Sequence, residues 1–149
     1  MSKKTSNKVK DKNLKERHNF FLNPYEDCAF TKCPKCEAKT KIRKFPLVIH
    51  IEPQQLFFLN KQCKYCPTCD LIIAKKQEIE SLMAFGLSQS HPKIIGNKYV
   101  VIGTVDKKDW KEGSQESLSP AEIIERTYIF QDIWNFEVIP AGWYPKGEQ

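Results

Sequence analysis

Two segments of the chain share one spelling, Cys33-Pro-Lys-Cys36 and Cys66-Pro-Thr-Cys69. A two-residue gap lets a tight turn aim both sulfurs at one ion while N–H groups within the turn bond back to the thiolates. Two such turns at the ends of neighbouring strands supply four thiolates in a tetrahedron, which is how Zn²⁺ is held at about 2.3 Å per bond. The spacing therefore points to Zn²⁺ or a similarly thiophilic metal at Cys33, Cys36, Cys66 and Cys69. Cys63 stands three residues before Cys66, outside the matching pair. One role for it is a compact buried residue, since a free cysteine behaves as a small hydrophobe. The other is a ligand in a Cys63, Cys66, Cys69 run of the kind iron–sulfur clusters use, which leaves the upstream pair without a task. Cys28 reads as packing or a bystander.

Four thiolates close the coordination shell and leave the site at net −2. A catalytic zinc keeps one position open for water and a less electron-rich ligand set. The chain has no Walker A loop, no G-x-G-x-x-G, no H-E-x-x-H and no nucleophile elbow. Its histidines, His18, His50 and His91, are scattered in sequence. The expectation is a protein that is not an enzyme.

The charges are unevenly placed. The net +6 divides into +5 over residues 1–19, −2 over 20–29, +6 over 30–66 and −3 over 67–149. A basic front half suggests an anionic partner. Lys39, Lys41 and Arg43 share strand parity, so they are the candidate nucleic-acid contacts, with Phe57, Phe58 and Tyr65 available for stacking. The opposing view is that lysines around a thiolate site neutralise it, and that the apolar C-terminal half of a metal-stabilised domain carries a protein-interaction or enzyme-accessory surface.

These residues need elements to hold them. The first 19 residues are polar and basic and read as a disordered arm. Phe45, Leu47, Ile49 and Ile51 alternate at strand period, EPQQ at 52–55 reverses the chain, and LFFLNKQ returns toward Cys63. Ile72 and Ile73 favour a short strand, followed by a helix on which Ile79, Leu82 and Met83 recur, ending near Gly86. YVVIGTV at 99–105 reads as a strand buried on both faces. A polar loop follows, through Ser119. SPAE at 119–122 is a capping box, after which Ile123, Thr127, Phe130 and Trp134 would line one helical face. FEVIP at 136–140 reads as a last strand, with Trp143 and Tyr144 pinning the tail.

Residues 30–74, with two knuckles, a hairpin between them and a strand leaving the second, resemble the zinc-ribbon fold group. The whole chain resembles a group of short bacterial zinc-ribbon proteins, which brings no activity with it. One departure is Asp70, where ribbons often have Gly after the last cysteine. By that resemblance the four knuckle cysteines are the ligands. The expected fold is α+β: a small zinc ribbon followed by a helix and a packed β/α extension, divided as arm 1–19, ribbon module 20–86 and extension 87–149. The expected function is a non-enzymatic adaptor with a structural four-Cys zinc site that binds nucleic acid or a nucleic-acid-associated complex. Six cysteines without an apolar export segment suggest a reducing, cytoplasmic setting.

Overall fold

The computed structural model describes residues 15–114 and 119–136. Its main feature is a curled, mixed, eight-stranded sheet. The strands are β1 (Lys15–Glu16), β2 (Asn19–Asn23), β3 (Lys41–Ile51), β4 (Gln55–Cys66), β5 (Leu71–Lys75), β6 (Tyr99–Thr104), β7 (Tyr128–Ile129) and β8 (Asp132–Trp134). The order across the sheet is β1-β7-β6-β3-β4-β5-β2-β8. This overturns the expected ribbon-plus-helix fold. The hairpin is present, with Lys41 opposite Tyr65 at one end and Ile51 opposite Gln55 at the other. It is the centre of a large sheet, however, because β6 pairs with β3 and β5 with β4.

The two ends of the sheet meet. β1 and β2 are halves of one segment broken at Arg17–His18, and β7 and β8 are halves of another broken at Phe130–Gln131. The two segments run parallel at a constant offset, Lys15 opposite Tyr128 and Asn19 opposite Asp132. Arg17 N donates to Ile129 O at 2.8 Å and Gln131 N to His18 O at 2.7 Å, carrying the pairing across both breaks. β2 also pairs with β5, and β7 with β6. The segment from Lys15 to Asn23 is thus held on both sides, although its first residues were expected in a disordered arm. Residues 1–14 lie outside the described part. β6 pairs with β3, so the expected boundary after residue 86 does not divide the sheet.

Strand alternation sorts side chains to two faces. Inward go Phe20, Phe45, Leu47, Ile49, Ile72, Ala74, Val101 and Phe130. Helix α1 (Lys76–Leu87) adds Ile79, Met83 and Leu87 to that core. Leu82, expected there, is 42% exposed. On the outer face, α2 (Lys107–Ser114) and α3 (Pro120–Arg126) contribute Trp110 and Ile123 to a cluster with Val48 and Val105. Part of the expected polar loop is therefore helical. The capping box forms: Glu122 N donates to Ser119 Oγ at 3.2 Å and Ser119 N to Glu122 Oε1 at 2.8 Å.

The expected longer helical face fails. α3 ends at Arg126, and Thr127 turns its hydroxyl onto Ile123 O at 2.6 Å. The β-branched and aromatic run that follows pairs as strand instead. Nor is β6 buried on both faces, since Val100 is 44% exposed. Of FEVIP only Phe136 is described, and the rest of that expected strand and the Trp143–Tyr144 anchor lie outside the described residues. No helix among the described residues is long and apolar enough to cross a membrane.

Candidate metal centre

The first knuckle sits in a small hairpin. Lys32 bridges Lys39, Cys33 N donates to Ala38 O at 2.8 Å, and Glu37 N donates to Cys33 O at 2.8 Å. Glu37 adopts φ 66°, the left-handed conformation that closes this turn. Lys35 N points to Cys33 Sγ at 3.4 Å, one of the N–H-to-sulfur bonds expected of a metal knuckle. The second knuckle begins where β4 ends, at Cys66, and Cys69 N points to Cys66 Sγ at 3.4 Å. Asp70 then takes φ 54°, allowing β5 to return antiparallel beside Cys66.

The two knuckles meet. Sulfur atoms of Cys33, Cys36, Cys66 and Cys69 all lie within 4.8 Å of one another. Cys36 and Cys66 are 3.5 Å apart, and Cys33 and Cys69 are 3.9 Å apart. Four sulfurs bound to one ion at about 2.3 Å would lie about 3.8 Å from each other, so the arrangement fits a tetrahedral thiolate site. Cys33 and Cys66 are buried, Cys69 is half-buried and Cys36 is exposed. The centre rests on an apolar bed of Phe21, Leu71 and Ile73 on the outer face of β2 and β5, joined by Phe30 from the connection between β2 and β3.

Burial pushes the Cys66 thiol up and holds Cys69 at about 12. Cys36 is lowered, first by its hydrogen bond with the Ala38 backbone. Crowded sulfurs cannot all ionise unless a cation compensates them, so metal binding must displace protons. Cys63 lies elsewhere, in the inner core, with its thiol on Lys61 O at 3.3 Å. Cys28 packs at the edge of the outer cluster, and its carbonyl accepts from Asn23. Neither joins the four.

The expected nucleic-acid contacts lie near the centre. Lys39, Lys41 and Arg43 are exposed, on the hairpin that ends in the knuckles and on the part of β3 that β6 does not reach. Arg43 lies over the rings of Phe45 (4.8 Å) and Tyr65 (5.0 Å). Lys35 lies 4.7 Å from the Trp134 ring centre. Phe57 and Phe58 face opposite sides: Phe57 packs inward, and Phe58 packs with the α2–α3 cluster.

One group of residues escaped sequence reasoning. Asp70 Oδ1 accepts from Tyr65 OH at 2.6 Å and lies 2.6 Å from His18 Nδ1. Asn19 N donates to Asp70 O at 2.7 Å, and Asn19 Nδ2 to Cys69 O at 3.0 Å. Burial alone would raise the Asp70 carboxyl, but the Tyr65 and His18 hydrogen bonds outweigh it and leave it lowered. This network fastens the second knuckle to the seam of the sheet. His18 and Asp70 are 52 residues apart, a pairing that no local spacing announces. The missing Gly after Cys69 was its one visible trace.

No protein-family model, curated protein or solved structure matches the chain.

Proposed function

We propose that the protein is a non-enzymatic zinc-binding protein whose four-cysteine centre is structural and whose basic face beside it binds nucleic acid. The convergence of Cys33, Cys36, Cys66 and Cys69 carries this reading. Such a ligand set satisfies zinc without leaving a position for substrate. Its role is to hold the two turns together on an apolar bed of Phe21, Phe30, Leu71 and Ile73. Lys39 and Lys41 stand exposed next to it, and Arg43 spreads over two rings, a surface suited to phosphates and to a stacked base.

The test uses metal-loaded protein. Metal analysis should give one zinc per chain without the absorbance of an iron centre. Binding to single-stranded RNA or DNA should fall steeply with salt and depend little on sequence, because phosphate contacts release counterions. Lys39→Glu with Lys41→Glu should weaken it strongly, whereas Glu125→Lys should not alter it by the same mechanism. Absence of salt-sensitive binding by zinc-loaded wild type would reject the nucleic-acid half of the proposal. A protein-interaction function would then take its place, favoured by Phe85, which is 82% exposed on α1 beside half-exposed Leu82.

A further inference from the structure

β4 and β5 are paired only from Lys64 to Cys66. Beyond that point β4 continues with β3 alone, while β5 runs into α1. The parting strands open a cleft of about 230 Å³ in the wall of the sheet. Lys61, Lys64 and Lys75 line it against a single carboxylate, Glu78. Its apolar surface comes from Ile42, which is 61% exposed, and from buried Ile73.

Lys61 makes this more than a basic surface patch. Its side chain is only 9% exposed, at a strand position whose neighbours Cys63 and Leu59 face the core. Burying an ammonium is costly unless it is fully engaged. Lys61 Nζ donates to Glu78 Oε1 and to Gln62 O, both at 2.6 Å. An ammonium has three donors, and the third has no acceptor among the described residues. Glu78 neutralises one of the three lysines, leaving a surplus of two positive charges around the cleft.

The end of a helix also favours an anion. The residue preceding α1 is Lys75, which supplies no side-chain cap, so the positive end of a 12-residue helix, partly offset by Glu78 in its first turn, adds to the potential where Lys75 and Glu78 line the cleft. Cys63, a buried lining residue, is pushed up by burial to about 12, so its thiol adds no negative charge there at physiological pH. We propose that this cleft is a phosphomonoester site, with the phosphate among Lys61, Lys64 and Lys75 and the organic part against Ile42 and Ile73. A phosphomonoester is largely dianionic near neutral pH, matching the surplus charge, and lysine ammoniums suit it as point charges. The ester could be a small metabolite or the phosphorylated end of a nucleic acid. The site stands independently of the nucleic-acid proposal above.

The test is calorimetry and backbone NMR on the full, metal-loaded chain. Ribose 5-phosphate and a 5′-phosphorylated oligonucleotide are each compared with their unphosphorylated counterparts. Saturable binding that requires the phosphate, with shifts at Lys61, Lys64 and Lys75, supports the site. Which probe binds identifies the source of the ester. Lys64→Gln and Lys75→Gln, both on partly exposed positions, should each weaken binding about tenfold, the usual scale for a lost charge-assisted contact. Lys61→Met should do so more severely. Since that variant risks the fold, the two surface variants decide. Equal affinity with and without phosphate, no binding at millimolar concentrations, or indifference to both glutamine variants would overturn it.

Discussion

The six cysteines fall into three different settings. Cys33 and Cys66 are buried against Phe21 and Leu71, Cys36 lies at the solvent rim, and Cys63 is enclosed in the opposite core. Replacing any of Cys33, Cys36, Cys66 or Cys69 with Ser should abolish metal retention and disorder both knuckles, because structural zinc contributes on the order of 10 kcal/mol to such folds. Cys28→Ser and Cys63→Ser should retain one metal per chain by mass spectrometry. Loss of metal in Cys63→Ser but not in Cys66→Ser would assign the site wrongly. Thiol reactivity gives a second measurement at this scale. A thiol is nucleophilic only when ionised, and burial keeps Cys63 protonated up to about pH 12. Alkylation of folded protein near neutral pH should therefore spare Cys63 and modify partly exposed Cys28. After chelation Cys36 should react first, since it is exposed and its pKa is lowered through the Ala38 backbone.

Among the elements, Gly103 marks a close approach of β6 to β7. A Cβ there would collide with the Tyr128 carbonyl oxygen and lie 2.8 Å from Ile129 Cα, both backbone atoms that cannot swing aside. Gly103→Ala should separate β6 from β7 and destabilise the fold by about 1–3 kcal/mol or more, read as a lowered urea midpoint. A neutral outcome would mean that this strand contact is not made in solution. What the sequence made legible follows the same division between local and distant causes. The β3–β4 hairpin is announced by the alternation from Phe45 to Ile51, and α3 by its capping box, because each signal lies within a dozen residues. The knuckle pair was legible because cysteine spacing states its own chemistry. β1, β2, β7 and β8 were not. Lys15–Glu16 is polar and exposed, and gains strand structure only from Tyr128–Ile129, more than a hundred residues away. Phe130 fits a helical period from Ile123, yet it stacks on Phe20 with ring centres 4.6 Å apart in the inner core.

At the scale of the whole molecule, the four-cysteine cluster lies where the curled sheet comes together. β2 starts beside the second knuckle: Asn19 binds both Cys69 O and Asp70 O, and its strand partner Leu71 immediately follows them. From there β2 holds β5 on one side and β8 on the other. A metal that fixes Cys66 and Cys69 thereby fixes the point from which the seam is zipped. Removing it should loosen this edge before the centre, because most of the long β3 pairings with β4 and β6 lie away from the knuckles. Hydrogen exchange before and after chelation should show the fastest gain in residues 19–23, 71–75 and 132–134, with 47–51 still protected. Asp70→Asn tests the connection without touching a sulfur. It keeps the shape but weakens the bonds to Tyr65 and His18, so it should raise exchange in 19–23 while leaving one metal bound. Uniform exchange over all strands after chelation would instead make the metal a condition of the entire fold. No change at 19–23 in either experiment would mean that the seam stands without the knuckle.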